Sequence, residues 1–270
     1  MADQHTQTPP PDPQVPSNPT LDILTTRRTI RKFEERPVEP EVVEAIENAA
    51  RQTATSQSLS AWSAIRIKDQ RTREAIAEIC GHARIARAPL LYVFVADEHR
   101  NLRVARAKGA VVDQDTPFST SALFFQAYDD AVLAVHAAET AAESLGLGAV
   151  ILGAITFDLT RVIDLLHLPR HVFPVLGLGL GYPAKVPELK PRPPREAQFF
   201  DDAYPDDAAN PDPLAPLAGF DREVHDYYLR RNPDNPISSF TDYVAGIART
   251  PVTHPRPIIR TVAAQGFATD

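Results

Sequence analysis

Residues 90–96 read Leu-Leu-Tyr-Val-Phe-Val-Ala, an unbroken apolar run of the length of one strand. A strand that is apolar on both sides has to be covered on both faces, so helices are expected above and below its sheet. Residues 121–145 form an alanine-rich segment without Pro or Gly that is apolar on most sides. This segment predicts a long, buried central helix that stops at Gly146.

Further helices and strands alternate around these two segments. Pro40 suits the first turn of a helix that continues to Gln52, and the apolar side chains that follow it fall on one face. The remaining patterns predict helices near 72–79 and over 159–168, and strands over 62–68, 149–152 and 172–180. Interleaved helices and strands indicate an α/β or α+β fold.

The composition indicates a globular protein. The chain has 270 residues, of which 43% are apolar and 23% charged, and its formal net charge is −7. An acidic balance without a long basic run argues against a nucleic-acid partner. No apolar run approaches the roughly twenty residues of a membrane-spanning helix, and no secretory signal is expected. The single cysteine, Cys80, excludes an internal disulfide and a cysteine-based zinc site, so a cytoplasmic location is expected.

The 26 prolines predict how the chain is divided. Residues 1–19 contain six of them among polar side chains, and they predict a disordered tail because too little apolar surface offsets the ordering entropy. Residues 20–270 are then expected to form a single domain. A second proline-rich stretch, 183–216, favours extended backbone and is expected to wrap over a surface.

The densest positive charge lies in residues 26–33, Thr-Arg-Arg-Thr-Ile-Arg-Lys-Phe. Three arginines within five residues at a helix end can surround a phosphate with bidentate hydrogen bonds, and the hydroxyl of Thr29 could add another. A solvated basic helix end is the alternative interpretation. Lys190 and Arg192 stand two residues apart in a proline-stiffened segment, so that both side chains are expected to point the same way towards an anion.

The glycines favour a flat ligand over a Rossmann dinucleotide site. Residues 177–181 have the spacing G-x-G-x-G rather than G-x-G-x-x-G, so close strand packing is their expected role. Gly153, directly after a predicted strand, would let backbone N–H groups approach a flat ligand. The histidines lack metal-ligand spacing, and Ser56 and Ser58 lack the G-x-S-x-G context of a serine hydrolase. Trp62 is expected in the core.

Several segments, taken in order, resemble the nitroreductase superfamily, and within it the oxygen-insensitive NADPH nitroreductase and NADPH–flavin oxidoreductase group. They are Arg-Arg-Thr-Ile-Arg-Lys-Phe at 27–33, Ala-Ala-Arg-Gln-Thr-Ala-Thr-Ser at 49–56, Glu-Ser-Leu-Gly-Leu-Gly at 143–148, Leu-Gly-Tyr-Pro-Ala at 180–184 and Leu-Lys-Pro-Arg-Pro at 189–193. The resemblance implies an α+β fold with a helix-covered, mainly antiparallel sheet. It also implies an intertwined homodimer that binds FMN at the subunit interface, with an extended arm over about 183–270 that wraps the partner.

The resemblance assigns contacts with the polar parts of FMN to particular positions. Arg27, Lys190 and Arg192 match residues that hold the FMN phosphate. Arg28 and Thr29 match neighbours that contact the polar edge of the flavin or its ribityl chain.

The resemblance also assigns contacts around the flavin ring. Arg31 matches the cation near flavin N1 and O2, where negative charge accumulates on reduction and a fixed positive charge is stabilising. Thr55 and Ser56 match a hydroxyl-rich loop that reaches FMN from the other subunit, and His82 stands near a flavin-contacting glutamine of relatives. The strand end whose backbone meets the ring near N5 is matched by Ile151, Leu152 and Gly153.

The implied function is that of an FMN-dependent NAD(P)H oxidoreductase with a ping-pong cycle. NADPH or NADH would deliver hydride to flavin N5, and a nitroaromatic, quinone or flavin-type acceptor would then be reduced in the same pocket. Because the flavin performs the chemistry, no catalytic side chain is expected, and the spacing of the histidines gives no reason to expect a metal.

The nicotinamide donor is the part of the family pattern that this chain departs from. Thr156 stands where an NADPH-binding arginine is expected, and residues 232–239 lack the usual basic pair. A flavin-binding or sensory protein of the same fold that does not use NAD(P)H efficiently is therefore the alternative. A generic anion-binding α+β domain without a flavin is a third interpretation.

Overall fold

The computed structural model describes residues 16–112, 116–208, 211–253 and 256–268. The described residues divide into two compact units, one formed by those within 1–187 and 256–270 and the other by those within 188–255. Residues 1–15 of the tail predicted over 1–19 lie outside the described residues. Its last residues open a helix, because the side chain of Asn18 caps the helix that begins at Pro19.

One antiparallel sheet forms the centre of the first unit. Within the described ranges it has four strands in the order β1-β2-β4-β3. The strands are β1 Trp62–Arg66, β2 Leu90–Asp97, β3 Gly148–Leu152 and β4 Val172–Gly181. All eight residues of β2 are buried, which confirms the strand predicted from the apolar run.

Helices cover both faces of this sheet, as its apolar central strand requires. Along the chain the helices are α1 Pro19–Thr26, α2 Pro40–Arg51, α3 Gln70–Ile79, α4 His99–Ala107, α5 Ser121–Ser144, α6 Leu159–Leu165, α7 Ala218–Arg231, α8 Phe240–Arg249 and α9 Ile258–Ala264. One apolar cluster joins α2 and α5 to one face, for example through Ile46, Ala138 and Leu178. A second cluster joins α3 and α6 to the other face through Ile76 and Val162. The α+β architecture is therefore confirmed.

Helix α5 is the long buried helix that the sequence predicts. The hydroxyl of Thr120 accepts a hydrogen bond from the amide of Leu123 and caps its first turn. At its other end Gly146 has φ +81°, a left-handed conformation suited to glycine, and closes the helix as expected. Small side chains on its inner side let α5 lie close to the sheet, and its 24 residues span about 36 Å.

The glycines of β4 serve close packing, as predicted. A Cβ atom on Gly181 would lie 2.6 Å from Pro89, and one on Gly177 would lie 3.1 Å from the side chain of Leu152. Side chains at these positions would push neighbouring atoms apart. The glycine run therefore lets elements approach the sheet closely.

Trp62 is half-buried rather than a core residue, which corrects the expectation from sequence. Its ring stacks on Phe94 with 5.7 Å between centroids and packs against two apolar clusters, but β1 lies at the edge of the sheet and the side chain is only partly covered. There Trp62 lines a pocket of about 240 Å³ together with Tyr92 and Leu178.

The second unit combines an extended segment with two helices. Residues 188–214 contain one short 3₁₀ turn, Arg195–Ala197, within the described positions, in agreement with the extended backbone predicted from the prolines. Asp221 of α7 accepts hydrogen bonds from the amide and the hydroxyl of Thr241 at the start of α8, at 3.0 and 2.6 Å. These bonds connect the two helices. No helix in the described part of the chain has the length and apolar composition needed to cross a membrane.

Glu98, between β2 and α4, is a buried acid with an incomplete set of hydrogen bonds. Its side chain is 0% exposed; Oε2 accepts a hydrogen bond from Asn101 at 2.8 Å, while Oε1 has no partner among the described residues. Burial raises the pKa of Glu98 to about 7, against the opposing effect of the bond from Asn101. The charges of Asp97 and Asp130 raise it further.

The Glu98→Gln variant is expected to become more stable relative to the parent protein as the pH rises from about 4.5 to about 7. In this range the unfolded parent releases the Glu98 proton and the folded parent keeps it, so the parent loses unfolding free energy on the order of 3 kcal/mol. Glutamine does not titrate. Urea unfolding of both proteins at pH 4.5 and pH 8 measures the change, and a difference in stability that does not vary with pH would contradict it.

Candidate cofactor-binding site

The basic segment 27–31 lies against the edge of the sheet. After α1 ends, the chain runs parallel to β3, with Thr29 opposite Ala149 and the amide of Ile30 donating to the carbonyl of Ala149 at 2.8 Å. Ile30 packs directly on Gly148, where a Cβ atom would come within 2.4 Å of its side chain. This contact fixes the segment. The helix end predicted at the basic cluster is confirmed, since α1 ends at Thr26.

A buried carboxylate on α5 holds the guanidinium of Arg27. Glu139 Oε1 accepts from Arg27 Nε at 2.8 Å and lies 2.7 Å from Nη2. The Glu139 side chain is 2% exposed, whereas that of Arg27 is 26% exposed. The ion pair therefore orients the guanidinium from inside the protein and leaves part of it open to an anion. Arg27 Nη2 also lies 3.5 Å from the hydroxyl of Thr29.

Glu143 lies one turn further along α5 and adds to the same cluster. Burial is the main cause that raises its pKa to about 7, and the charge of Glu139 raises it further. Arg27 and the backbone amide of Arg28 act in the opposite direction. The carboxyl of Glu143 therefore titrates near neutral pH.

Arg28 and Arg31 supply the other guanidinium groups of the segment, and this segment suits an anionic ligand. Arg28 Nη1 donates to the carbonyl of Thr26 at 2.7 Å, but its Nε is buried and has no hydrogen-bond partner within the described ranges. Arg31 is exposed and, because the segment runs parallel to β3, lies nearer the Ile151 end of the strand than Arg27 does. A cluster of guanidinium donors with a buried, unmatched N–H is the chemistry that a phosphate satisfies.

Asp130 of α5 organises the loop that carries Thr55 and Ser56. Its carboxylate, 2% exposed, accepts from the Thr55 hydroxyl at 2.6 Å and from the amides of Ser56 and Ala61, each at 3.0 Å. The hydroxyl of Thr55 in turn accepts from the amide of Ser60 at 2.8 Å. The hydroxyl of Thr55 thus holds the loop both as a donor and as an acceptor of hydrogen bonds.

The loop also carries backbone strain and a second anchor on α5. Gln57, Ser58 and Ser60 have positive φ angles of 52°, 57° and 45°. Gln126 Oε1 accepts from the hydroxyl of Ser56 at 3.0 Å and from the amide group of Gln57 at 2.9 Å. Strained conformations of this kind persist only where the surroundings determine them, and α5 supplies those surroundings.

The two groups of predicted site residues lie at different places along α5. Nine residues separate Asp130, which holds the 55–61 loop, from Glu139, which holds Arg27. This separation corresponds to about 14 Å of helix. Within one chain, therefore, the structure does not bring Thr55 and Ser56 beside Arg27.

The end of β3 presents an open backbone, as expected of a strand end that faces a ligand. Leu152 is buried in the core, so only its backbone can face outwards, and Ile151 is half-buried. Gly153 is exposed, and a Cβ atom there would meet nothing within 4 Å. A 3₁₀ turn follows over residues 153–158, in which the hydroxyl of Thr156 donates to the carbonyl of Gly153 at 2.9 Å.

The other predicted residues are His82, Lys190 and Arg192. His82 is exposed between α3 and the 3₁₀ turn at 83–87, and its neighbour Ile85 belongs to the same apolar cluster as Leu152. Lys190 and Arg192 are in the second unit. There the Arg192 guanidinium donates to the carbonyl of Lys190 at 3.0 Å, and the ammonium of Lys190 lies 5.7 Å from the ring centroid of Tyr228.

Comparison with known proteins decides the family. A model of the nitroreductase family matches residues 24–182, and a model of the family's C-terminal domain matches residues 190–270. The chain belongs to the nitroreductase family. The oxygen-insensitive NADPH nitroreductase of Salmonella typhimurium is 37% identical to it over 255 residues, which cover 93% of this chain and 99% of that protein. An NADPH-dependent oxidoreductase of Staphylococcus aureus is 32% identical over 222 residues, covering 81% and 86%.

Solved structures share the fold of this nitroreductase-family chain. NfrA2 of B. megaterium is 29% identical with a TM-score of 0.83, covering 94% of this chain and 100% of that one. The NADPH:FMN oxidoreductase of Vibrio harveyi, solved as a complex with NAD⁺, is 25% identical with a TM-score of 0.80, again covering 94% and 100%. The nitroreductase-like fold expected from the sequence is confirmed, and the homodimer stays a prediction.

Sequence reasoning missed the residues of α5 that position the site. Gln126, Asp130, Glu139 and Glu143 form two pairs of polar residues, each spaced by four, on a helix that is otherwise rich in alanine. Such pairs lie on one face of a helix and would be costly to bury without partners. The spacing of four residues was the feature of the sequence that could have identified these side chains as ones that bind other segments of the chain.

The Asp130→Asn variant of this nitroreductase-family protein is expected to loosen the 55–61 loop. An amide group has one acceptor oxygen, so it cannot replace a carboxylate that accepts three hydrogen bonds, and about 2 kcal/mol of stability should be lost. Amide hydrogen exchange at Ser56 and Ala61 measures the effect directly and should become faster. Asp129→Asn, at the exposed neighbouring position, is the control. Unchanged exchange in Asp130→Asn would show that the carboxylate does not hold the loop.

Proposed function

We propose that this protein is an FMN-dependent NADPH oxidoreductase that reduces flat acceptors such as nitroaromatics, quinones or flavins. The observation that carries the proposal is the basic segment 27–31, fixed against β3 and oriented from within by Glu139. Its relatives support the same activity, since they include an NADPH nitroreductase and an NADPH:FMN oxidoreductase.

The chain's own residues would bind the cofactor through its negative charges. In this proposal Arg27, Lys190 and Arg192 hold the FMN phosphate, while Arg28 and Thr29 hold the ribityl chain or the polar edge of the ring. The buried, unmatched Nε of Arg28 supports such a contact, because a bound oxygen would remove the energetic cost of leaving that donor unsatisfied.

The open end of β3 would receive the ring. When bound, FMN supplies the hydride-accepting and hydride-donating chemistry of the reaction. Ile151, Leu152 and Gly153 would offer backbone groups near N5, and the absence of a side chain at Gly153 leaves room for a flat substrate. Arg31 would place a positive charge at the N1 and O2 side of the ring, where it stabilises the negative charge of the reduced cofactor. His82 would be a further contact of the flavin.

The position of the hydroxyl-rich loop supports the homodimer, which is part of this proposal. Thr55 and Ser56 lie about 14 Å from the Arg27 anchor along α5, so we infer that they reach the FMN whose phosphate is held by the other subunit. Large apolar side chains on α5 also reach the surface, with Phe125 56% and Leu133 43% exposed. A second copy of the chain would cover such side chains.

The buried cysteine is consistent with a cytoplasmic site of action, which we also propose. Burial raises the pKa of Cys80 to about 11, so its thiol stays protonated and unreactive near neutral pH.

A flavin-binding protein that does not oxidise NAD(P)H efficiently is the second candidate. Thr156 favours it, because this hydroxyl bonds to Gly153 and offers no cation to a nicotinamide donor.

The visible spectrum of the purified protein, followed anaerobically, separates the candidates. The proposed function predicts flavin absorbance that bleaches rapidly on addition of NADPH. A bound flavin that neither NADPH nor NADH bleaches would favour the second candidate. A colourless protein that does not bind added FMN would contradict the assignment of Arg27, Lys190 and Arg192.

A further inference from the structure

A pocket lies between α2, α5 and the edge of the sheet that β1 forms. Trp62, Ala64 and Arg66 are alternate residues of β1, so their side chains stand on one face of the sheet and line the pocket there. The lining residues of the neighbouring strands are Tyr92, Phe94, Leu178 and Leu180. The volume of the pocket is about 240 Å³. Since an apolar cavity of about 150 Å³ binds benzene, this pocket can hold one substituted aromatic ring.

Aromatic rings and alanines determine the shape of this pocket. The rings of Tyr92 and Phe94 lie side by side on β2 with 6.2 Å between centroids, and Trp62 stacks on Phe94. Alanines contributed by α2, β1 and α5 leave open the space that longer side chains would fill; they are Ala50, Ala64 and Ala138. A further ring can make offset or edge-to-face contacts with such a lining. The pocket therefore suits a flat aromatic ligand.

The charged residues of the lining favour an anion. They are Glu47, Arg51 and Arg66, two cations and one acid. Glu47 Oε1 accepts from the hydroxyl of Tyr92 at 2.8 Å, and the guanidinium of Arg51 donates to Asn48 at 2.9 Å. Arg66 is exposed and stands opposite Tyr92 in the register of β1 and β2. Within the described ranges no carboxylate forms an ion pair with Arg66, so its guanidinium can meet the charge of a ligand.

The pocket is separate from the candidate cofactor site. Across the sheet Arg66 pairs with Tyr92, Tyr92 with Leu178, and Leu178 with Ile151 at the open end of β3. Three strand spacings of about 4.8 Å separate Arg66 from Ile151, or about 14 Å in all. None of the residues assigned to FMN is among those that line the pocket.

We propose that this pocket is a second ligand site, which binds a small carboxylic acid with one aromatic ring in its ionised form. The ring lies among Trp62, Tyr92 and Phe94, and the carboxylate accepts bidentate hydrogen bonds from the guanidinium of Arg66. The proposal does not depend on the proposed function, because no FMN contact takes part in it.

The fluorescence of Trp62 tests this site, because Trp62 is the single tryptophan of the chain and lines the pocket. We expect phenylacetate to change its emission in a saturable way and to bind about tenfold more tightly than phenylacetamide, which has nearly the same shape but no charge. Arg66→Gln should remove the difference between the two ligands. Arg71→Gln, at an exposed arginine that does not line the pocket, is the matched control and should keep it.

A second variant tests the space itself. Ala64→Leu enlarges an exposed side chain of the edge strand, so it should weaken binding of both ligands alike while the circular dichroism spectrum stays that of the parent protein. Absence of saturable binding to the parent protein, equal affinities for phenylacetate and phenylacetamide, or equal effects of Arg66→Gln and Arg71→Gln would overturn the proposal. A protein that binds no FMN would contradict the proposed function and leave this test unaffected.

Discussion

Two buried carboxylates on one helix connect the core of this nitroreductase-family protein to its candidate site. Asp130 and Glu139 are buried, and burial of a charge is unfavourable unless it is paired and hydrogen-bonded. Asp130 obtains its partners from the 55–61 loop. Glu139 obtains Arg27 from outside α5, in addition to His136 of α5 itself, whose Nδ1 lies 3.4 Å from Glu139 Oε2. The requirement to satisfy these charges therefore places both segments.

The sheet determines where this helix can lie. Strand β2 is buried along its whole length, so both faces of the sheet need apolar cover, and α5 with α2 supplies one of them. The alanines of α5 let the helix pack close to the sheet. This packing fixes the position of α5 on the sheet and the directions in which its polar side chains point. At the edge of the sheet formed by β3, segment 27–31 is held by the hydrogen bond between Ile30 and Ala149 and by the contact between Ile30 and Gly148.

Much of the fold could be predicted because it depends on local patterns. The apolar run of β2, the alanine-rich length of α5 and the glycines of β4 each have a periodicity or spacing that the structure confirms. Trp62 was misplaced because an apolar side chain does not reveal whether its strand lies at the centre or the edge of a sheet. The start of α1 was missed because Asn18 caps a helix within a polar, proline-rich stretch.

The positioning of the site could not be predicted in the same way. Thr55 and Asp130 are 75 residues apart in sequence, and Arg27 and Glu139 are 112 apart, so no local pattern connects them. The basic segment itself was recognisable from its composition and its resemblance to the family. The acids that orient it are recognisable only once the fold brings α5 beside it.

The affinity for FMN of the Glu139→Gln variant tests most directly whether a buried acid positions the cofactor site. Loss of the negative charge alone would strengthen the attraction between Arg27 and a phosphate, whereas loss of positioning would weaken binding. If Glu139 positions Arg27, fluorescence titration should give a Kd for FMN about tenfold higher than that of the parent protein, with Asp129→Asn unchanged. An equal or lower Kd in Glu139→Gln would contradict the positioning role.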